Sequence, residues 1–568
     1  MTLTEVPSAT RSFVAPASDL LIDIKGLRIS FDPAEARGQG HTVVDGLDLQ
    51  LRRGRILAIV GESGSGKSVT ARSLLGLAGR GARIEAERFD IFGQDVRRFE
   101  EAAWRRLRGS RIGLVLQDAL TSLDPLRTVG AEIDEALEAH AARRWSRRER
   151  TSEIVRLLDS AGIRDPDFKR RQYPHQLSGG QRQRALIASA IAADPDVIIA
   201  DEPTTALDVT IQARILRLLK EKVGGGKGLI LISHDLSVVA ELADDIIVLN
   251  RGKIVEAGPA RQVIYNPAND YTKQLIAAIP GSHSRGRRLS ALSPAIAAEE
   301  LPGTDAEAVP VVRAEGLVKW YRGAEGEDFK AVDGVSFTVH AREILGLVGE
   351  SGSGKSTIAK LVTGLLPPDA GTISIHGKPW PGVTAGERRA NVGTVQLIGQ
   401  DSLGSFDPRY TVREIVAESV ALAFPDRKER ERRIRELLDL VQLPAGTIER
   451  HPRELSGGQR QRVSIARALG SDPKVLVCDE PVSALDVSVQ AQILDLLHDI
   501  RHVSRTSFLF ISHDIGVVYH LSDRVMVMND GIIVEQGRSE EVFSSPNHSY
   551  TQKLLEAVPK LETERALK

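Results

Sequence analysis

The sequence predicts an α/β fold in two similar halves. Three observations predict it. A glycine-rich segment, GESGSGKS, occurs at 61–68 and again at 349–356; an apolar segment of strand length precedes each copy; and the same later motifs follow both copies in the same order. A chain of 568 residues is also too long for one hydrophobic core. We therefore expect two tandem domains produced by a duplication.

The composition is that of an ordinary globular protein, with 42% hydrophobic and 27% charged residues. The 75 Lys and Arg residues nearly balance the 76 Asp and Glu residues, so no general basic surface is expected for nucleic acid or anionic lipid. A single cysteine, Cys478, excludes an intramolecular disulfide and indicates a reducing compartment. Residues 1–18 are predicted to be a flexible tail without an export signal.

Pattern changes along the chain predict its domain organisation. The first domain is expected at 19–280 and the second at 311–568, joined by a linker at 281–310 that is rich in Pro, Ala, Ser and Gly. Leu, Ala, Arg and Glu at helical spacing from about 120 to 192, and from about 403 to 470, predict a helical subdomain inserted before the next core strand. The apolar stretches are of strand length and far too short to span a membrane.

The repeated GESGSGKS segment predicts a phosphate-binding loop. Its glycines allow backbone N–H groups to surround phosphate oxygens, and the helix that follows presents its positive end to them. We expect the lysine to bind the terminal phosphates and the serine after it to bind Mg²⁺. One such segment can be an incidental glycine turn, but two copies after apolar strands predict two nucleotide sites. The predicted contact residues are Gly61, Ser63, Gly64, Gly66, Lys67, Ser68 and Val69 in the first copy, and Gly349, Ser351, Gly352, Gly354, Lys355, Ser356 and Thr357 in the second.

An apolar run that ends in two acids, DVIIADEP and KVLVCDEP, also occurs in both halves. Such a run places its acids at the carboxyl end of a strand, where α/β sheets bind ligands. Asp201 and Asp479 are predicted ligands of Mg²⁺. Glu202 and Glu480 are predicted general bases that polarise water for in-line attack on the γ-phosphate. Taken alone, such acids more often cap a strand, and it is their recurrence with a phosphate loop that favours catalysis.

Two further polar residues follow predicted strands in each half. His234 and His513, after GLILIS and SFLFIS, are candidates to bond the γ-phosphate and sense its presence. Gln117 and Gln400, in LVLQD and LIGQD, are candidates to contact Mg²⁺ or the attacking water. A single histidine or glutamine at such a place is more often structural.

Together with these motifs, the LSGGQ segments at 177–181 and 455–459 make nearly the whole chain resemble the ABC ATPase superfamily. The resemblance implies a RecA-like α/β core in each half, with an antiparallel β subdomain and an inserted helical subdomain. It also implies two cassettes docked head to tail, so that each ATP lies between the phosphate loop of one and the LSGGQ signature of the other. Serine and glycine groups at a helix start can form a second anion-binding nest. Ser456, Gly457, Gly458 and Gln459 would complete the site of Lys67, and Ser178, Gly179, Gly180 and Gln181 would complete the site of Lys355.

The resemblance implies roles for four more residues. Asp208 and Asp486, in ALDV, match the D-loop that crosses the dimer axis and couples the two sites. Phe31 and Tyr321 match the aromatic residue that stacks on adenine, although core packing explains either almost as well and Trp320 is an alternative to Tyr321. Because both halves retain every hydrolytic motif, two competent ATP sites are predicted.

A narrower resemblance concerns the dipeptide, oligopeptide and nickel importers. QDALTSLDP at 117–125 and QDSLGSFDPR at 400–409 are similar to their extended glutamine loop, and the segments at 266–280 and 545–559 are similar to their C-terminal region. The resemblance implies a transport ATPase that hydrolyses ATP to import di- or oligopeptides, with nickel, another metal chelate or glutathione as alternative cargo. No iron–sulfur cluster is expected, because 281–310 has no cysteine.

The same resemblance implies the partners and the location. We expect two membrane-spanning permease subunits and an extracytoplasmic binding protein, with one copy of this chain attached to the cytoplasmic face of the inner or plasma membrane and no nucleic acid. A different class, the twin-cassette proteins of translation or DNA repair, remains an alternative. The short linker, which has no helical period, and the single cysteine argue against the long helical insertions and zinc modules of that class.

Overall fold

The computed structural model describes residues 19–32, 41–117, 122–140, 145–204, 207–290, 310–322, 328–382, 384, 386–387, 391–483, 485–504 and 506–558. The predicted tail at 1–18 and residues 291–309 of the predicted linker lie outside this part of the chain. The described strands and helices form two sets in the same order, one in each half.

The elements of the first half run from Leu20 to Ala277. Its strands are β1 (Leu20–Phe31), β2 (His41–Arg52), β3 (Ile56–Val60), β4 (Ala82–Glu85), β5 (Arg88–Ile91), β6 (Gln94–Asp95), β7 (Ile112–Val115), β8 (Val197–Asp201), β9 (Gly228–Ile232), β10 (Asp245–Asn250) and β11 (Lys253–Pro259). Its helices are α1 (Lys67–Ser73), α2 (Glu101–Leu107), α3 (Val129–His140), α4 (Arg147–Ser160), α5 (Pro166–Lys169), α6 (Gly179–Ile191), α7 (Val209–Gly224), α8 (Leu236–Leu242), α9 (Ala260–Tyr265) and α10 (Asp270–Ala277).

The elements of the second half run from Val312 to Glu556. Its strands are β12 (Val312–Arg322), β13 (Asp328–Val339), β14 (Ile344–Val348), β15 (Ala370–Ile375), β16 (Lys378–Pro379), β17 (Val395–Ile398), β18 (Val475–Asp479), β19 (Ser507–Ile511), β20 (Arg524–Asn529) and β21 (Ile532–Arg538). Its helices are α11 (Lys355–Val362), α12 (Val412–Ala423), α13 (Arg427–Leu440), α14 (Gly457–Leu469), α15 (Val487–Val503), α16 (Ile515–Leu521), α17 (Ser539–Ser544) and α18 (Ser549–Glu556).

A mostly parallel sheet forms the centre of each half. Among the described residues of the first half, the strand order is β7-β8-β9-β3-β10-β11, and only the pairing of β10 with β11 is antiparallel. The second half has the equivalent order β17-β18-β19-β14-β20-β21. In both sheets the carboxyl ends of the parallel strands meet at one edge, where α/β sheets bind ligands.

The central strands are buried on both faces, which explains their continuous apolar sequences. Alternate residues of β3 point to opposite sides of the sheet. Ile56, Ala58 and Val60 belong to a core shared with helices, whereas Leu57 and Ile59 belong to a core shared with the antiparallel sheet β2-β1-β5-β6. The helices α3 to α6 lie between β7 and β8 along the chain. The predicted α/β core, antiparallel β subdomain and helical insertion are therefore confirmed.

Within the part of the chain that the structure describes, no helix is both long enough and apolar enough to cross a bilayer.

We predict that Gly113→Ala destabilises the first half. Gly113 lies on β7, and a Cβ at this position would be 2.3 Å from the carbonyl oxygen of Ala190 on α6. The backbone must move to relieve this contact, which costs about 1–3 kcal/mol of unfolding free energy. Thermal unfolding of the variant should begin at a lower temperature than that of the native chain. Gly224→Ala is the matched control, because a Cβ there has no neighbour within 4 Å. Equal unfolding curves for the two variants would contradict the close packing of β7 on α6.

Candidate functional site

The phosphate loop in each half ends in a glycine that begins a helix. Gly66 precedes α1 with φ 101°, and Gly354 precedes α11 with φ 105°. These left-handed conformations are easy for glycine and strained for other residues. Neither glycine can supply a side-chain cap, so the first backbone N–H groups of both helices remain available to an anion.

The loop lysine folds back over its own loop. Lys67 Nζ donates hydrogen bonds to the carbonyl oxygens of Gly61 at 2.8 Å and Glu62 at 2.7 Å. Lys355 Nζ makes the equivalent bonds in the second half, both at 2.7 Å. Burial lowers the pKa of both lysines, and nearby carboxylates oppose that shift. Each loop therefore holds a buried ammonium group at the place where terminal phosphates are predicted to bind.

The predicted magnesium ligands come together at the carboxyl end of β8. Ser68 Oγ donates to Asp201 Oδ1 at 3.1 Å, and Ser356 Oγ donates to Asp479 Oδ1 at 3.3 Å in the second half. Burial raises the pKa of both aspartates. Among the described residues, Asp201 Oδ2 is buried without a hydrogen-bond partner. A serine hydroxyl beside a buried, unpaired carboxylate oxygen fits Mg²⁺, which takes oxygen ligands.

The predicted base lies between the glutamine and the histidine in both halves. Gln117 Nε2 donates to Glu202 Oε2 at 2.7 Å, and His234 Nδ1 lies 3.3 Å from Glu202 Oε1. In the second half the corresponding distances around Glu480 are 3.0 Å from Gln400 and 3.2 Å from His513. This repeated cluster of glutamine, glutamate and histidine holds the carboxylate in one orientation.

The backbone of the predicted base has an unusual conformation. Glu202 has φ 49° and Glu480 has φ 50°, in a region that non-glycine residues rarely occupy. In each case the glutamate N–H donates at 2.9 Å to the carbonyl oxygen of the last residue of the neighbouring strand, Ile232 or Ile511. Strained backbone of this kind is common at functional sites.

Electrostatics link the glutamates and the histidines. Burial acts to lower the pKa of His234 and of His513, but the hydrogen bond and charge of the adjacent glutamate outweigh it and raise both values. Burial acts to raise the pKa of Glu480, and the hydrogen bond and charge of His513 reverse that effect. The pairing thus favours a charged carboxylate beside a protonated imidazole.

A tyrosine from the C-terminal segment of each half contacts the phosphate loop. The Tyr271 hydroxyl accepts a hydrogen bond from the Glu62 N–H at 3.2 Å, and the Tyr550 hydroxyl accepts one from the Glu350 N–H at 3.2 Å. Burial raises the pKa of both phenols to about 12, so they stay neutral. Neither tyrosine is among the site residues predicted from the sequence, although the repeated segments at 266–280 and 545–559 that contain them were a usable signal.

The signature motifs begin helices. Ser178 caps α6 by accepting from the Gln181 N–H, and Ser456 caps α14 by accepting from the Gln459 N–H. Both serines are exposed. The glycines of both motifs, Gly179, Gly180, Gly457 and Gly458, lie in the first turn of these helices. Among the described hydrogen bonds, none joins a signature motif to the opposite phosphate loop, so their pairing remains a prediction.

Residues next to the predicted D-loops connect the two halves. Asp208 caps α7 and Asp486 caps α15. Thr210 Oγ1, two residues after Asp208, lies 2.8 Å from Glu350 Oε1 in the phosphate loop of the other half. The charge of Asp486 acts to raise the pKa of Lys67, and that of Asp208 acts to raise the pKa of Lys355. Each D-loop aspartate therefore lies close to the phosphate loop of the opposite half.

The remaining predicted residues lie around the loops. Ser63, Gly64, Ser351 and Gly352 are exposed at the loop tips, while Val69 and Thr357 are half-buried in the helices that follow. Phe31 is half-buried and packs against the core of the first half. Tyr321 stacks on Phe329 at 5.9 Å between ring centroids, and Trp320 is 44% exposed. An adenine-stacking role for Phe31 or Tyr321 stays a prediction.

Comparison with known proteins identifies the family. The family described as ABC transporter matches residues 44–205 and 332–483, and the one described as oligopeptide/dipeptide transporter, C-terminal region, matches residues 255–302 and 534–568. These matches include both phosphate loops, both acidic pairs and both tyrosines.

Three relatives match along nearly their whole length. The oligopeptide transport ATP-binding protein OppD of Mycobacterium tuberculosis is 38% identical, over 96% of this chain and 99% of that protein. The glutathione import ATP-binding protein GsiA of Salmonella choleraesuis is 41% identical, over 96% and 90%. The peptidoglycan transport ATP-binding protein YejF of Agrobacterium fabrum is 40% identical, over 95% and 97%.

Among solved structures, an archaeal ribosome recycling factor, aABCE1, superposes with a TM-score of 0.57. The superposition covers 86% of this chain and 87% of that one at 21% identity. At that identity the likeness shows a shared fold with two cassettes and nothing about function. The extended sequence matches identify the relationship instead: the chain belongs to the ABC transporter family, as a transport ATPase subunit with two fused ATP-binding cassettes, each followed by the C-terminal region of oligopeptide and dipeptide transporters.

Proposed function

We propose that this chain hydrolyses ATP at two sites between its cassettes and thereby powers the import of small peptides. The observation that carries the hydrolytic part is the cluster around Glu202, with Gln117 Nε2 at 2.7 Å and His234 Nδ1 at 3.3 Å, which recurs around Glu480. Two equivalent clusters support two competent sites.

The glutamate acts on the attacking water. Its carboxylate is held from both sides, by an amide and by an imidazole, so one orientation is favoured before ATP binds. This preorganisation contributes to catalysis because the carboxylate is already oriented to position the attacking water. His234 and His513 each contact the carboxylate of the base in their own cassette. A histidine that also bonds the γ-phosphate would therefore couple the presence of that phosphate to the base.

The lysine and the serine of each loop bind the triphosphate. Lys67 exchanges its bonds to the loop carbonyls for bonds to the β- and γ-phosphates, and Lys355 does the same. Ser68 with Asp201, and Ser356 with Asp479, would hold Mg²⁺, and the side-chain oxygens of Gln117 and Gln400 would face the ion or the water. An ion held there would supply positive charge to neutralise the phosphate oxygens.

Each site is completed by the opposite cassette. The 2.8 Å contact between Thr210 and Glu350 supports this arrangement, as does the effect of Asp486 on Lys67. In the closed state Ser456 and its neighbouring N–H groups bind the γ-phosphate held by Lys67, and Ser178 does so for Lys355. Fusion in one chain keeps the second cassette at a high effective concentration.

The transported solute passes through other polypeptides. The relatives are named as ATP-binding proteins of oligopeptide, glutathione and peptidoglycan transport. These names support an association with the membrane-spanning subunits of a transporter. We extend the proposal to two permease subunits, an extracytoplasmic binding protein and one copy of this chain at the cytoplasmic face of the membrane. Peptides are the favoured cargo because the C-terminal region of oligopeptide and dipeptide transporters occurs twice. Glutathione, itself a small peptide, is the second candidate because a relative named for glutathione import is 41% identical.

We predict that Glu202→Gln and Glu480→Gln each lower ATP turnover, because each variant removes the base of one site. The double variant should have almost no steady-state phosphate release. Glu221→Gln, on the exposed side of α7, is the control for the loss of one carboxylate. Full activity in Glu202→Gln combined with none in Glu480→Gln would show that only the second base is catalytic.

We predict that Tyr271→Phe and Tyr550→Phe weaken ATP binding. Each removes one hydrogen bond to a phosphate-loop N–H, worth about 1 kcal/mol or roughly fivefold in affinity. The KM for ATP should rise while kcat falls less, and unfolding temperatures should change little because the ring remains. Tyr265→Phe, in α9, is a comparison outside the loop contact. An unchanged KM for ATP in both Tyr271→Phe and Tyr550→Phe would contradict the proposal that these tyrosines support the phosphate loops.

The peptide assignment predicts which solute stimulates turnover. The chain should be purified in mild detergent with its associated membrane subunits and reconstituted with the binding protein encoded with them. We expect di- or oligopeptides to raise ATP hydrolysis above the basal rate, and Glu202→Gln/Glu480→Gln to abolish the response. Stimulation by glutathione alone would select the second candidate, and stimulation by a nickel chelate alone would refute peptide import. Copurification with ribosomes or DNA in place of membrane subunits would refute transport.

A further inference from the structure

The segment that follows the first cassette lies against the second one. We call residues 278–290 the anchor segment. It begins at the end of α10, which is fixed in the first cassette by Leu275 in the hydrophobic core. Ala278 and Leu289, by contrast, are each 4% exposed and belong to the core of the second cassette. The anchor segment therefore leaves the first cassette and packs into the core of the second.

Two buried carboxylates on α15 bind the end of the anchor segment. Arg288 donates two hydrogen bonds to Asp499, from Nη1 at 3.0 Å and from Nη2 at 2.9 Å. Asp495 accepts from the backbone N–H groups of Leu289 at 3.0 Å and Ser290 at 2.9 Å. Asp495 and Asp499 are only 3% and 5% exposed. Buried carboxylates are costly without partners, so this face of α15 needs the anchor segment.

The other end of the segment contacts α16. Arg285 Nη1 donates to the carbonyl oxygens of Tyr519 at 2.7 Å and Ser522 at 3.0 Å. These carbonyls lie at the C-terminal end of α16, where helical carbonyls lack partners within the helix. The Ser284 hydroxyl oxygen lies 2.9 Å from Nδ1 of the buried His520. The anchor segment thus satisfies polar groups on two helices of the second cassette.

A glycine provides the space for this contact. A Cβ at Gly516, near the start of α16, would be 2.7 Å from the carbonyl oxygen of Pro280. Any larger residue would have to displace the backbone of the segment just where it reaches the second cassette. The surface is therefore matched to the anchor segment in shape as well as in charge.

The first cassette lacks the equivalent surface. Equivalent residues of the two cassettes differ by 278 in number at Asp208 and Asp486, so the counterparts of Asp495 and Asp499 in the first cassette are Arg217 and Glu221. They differ by 279 at His234 and His513, so the counterparts of Gly516 and His520 are Ser237 and Glu241. One acid of the pair, the glycine and the histidine are all missing. The docking surface is thus a property of the second cassette alone.

From these contacts we infer that the anchor segment is an intramolecular docking element that keeps the two cassettes together when no nucleotide is bound. It makes no use of the phosphate loops or the signatures, so its contacts persist after ADP and phosphate leave. The contacts that hold the cassettes together are made by residues 278–290, so cleavage of the chain after this segment should leave the pairing intact. The inference rests on contacts between the cassettes and is independent of the transported solute.

A cleavable version of the full-length chain tests this inference. A protease site is placed between residues 296 and 303, and the purified protein is cut without nucleotide, diluted and analysed by size-exclusion chromatography and analytical ultracentrifugation. We expect the two fragments to remain together, because the anchor stays on the first fragment and its surface on the second. Separation of the unmodified fragments at micromolar concentration would overturn the inference.

Two variants and a control test the contacts themselves. Arg288→Ala leaves the Asp499 carboxylate buried without its partner and should weaken fragment association roughly tenfold or more. Gly516→Ala should weaken it as well, while favouring the helical state of α16 itself. Arg287→Ala removes the same charge from an exposed neighbouring side chain and should leave association unchanged. Hydrogen exchange on the uncut proteins should show faster exchange in α15 and α16 for the first two variants, with the central sheets still protected. Equal association constants for all three variants would also refute the inference.

Discussion

Parallel strands that end at the same edge of a sheet bring the proposed catalytic groups together. In the first cassette β8 lies between β7 and β9, so Glu202, which follows β8, is flanked by Gln117 after β7 and His234 after β9. The distances of 2.7 and 3.3 Å to its carboxylate follow from that order. The phosphate loop begins after β3, on the far side of β9, so Lys67 joins the same edge. A strand order that did not place β8 between β7 and β9 would separate Glu202 from Gln117 or His234, which are distant in the sequence.

The two cassettes have the same groups around their phosphate loops, but only one of them receives the anchor segment. Each phosphate loop is supported by a tyrosine from its own C-terminal segment and approached by a D-loop aspartate of the other cassette. The anchor segment, however, docks on only one side, where Asp495 and Asp499 receive it. A duplication accounts for the equivalent sites, whereas the surface that receives the anchor segment has no counterpart in the first cassette.

Short local motifs made much of this structure predictable. Three motifs each mark the end of a strand: the phosphate loop, the acidic pair after an apolar run, and the histidine after the next strand. Their order along the chain predicts the α/β core. The support from Tyr271 and the docking of Arg288 were not predicted, because each depends on a partner about 200 residues away in the sequence. Residues 281–290 show no apolar period, since most of their contacts use backbone N–H groups, the Ser284 hydroxyl and two arginines, Arg285 and Arg288. The local pattern predicts a linker at 281–310, and it could not predict that residues 281–290 dock on the second cassette.

The most direct test of the account asks which phosphate loop shares a site with which signature. In the Glu202→Gln/Glu480→Gln background, retained ATP can be counted per chain after rapid removal of free nucleotide. Adding Lys67→Ala with Ser456→Arg damages a single composite site, so the account predicts that half of the retained ATP remains. Adding Lys67→Ala with Ser178→Arg damages both sites and should leave none. The opposite pattern, with half retained only when Lys67 and Ser178 are changed, would show that each cassette forms its site alone.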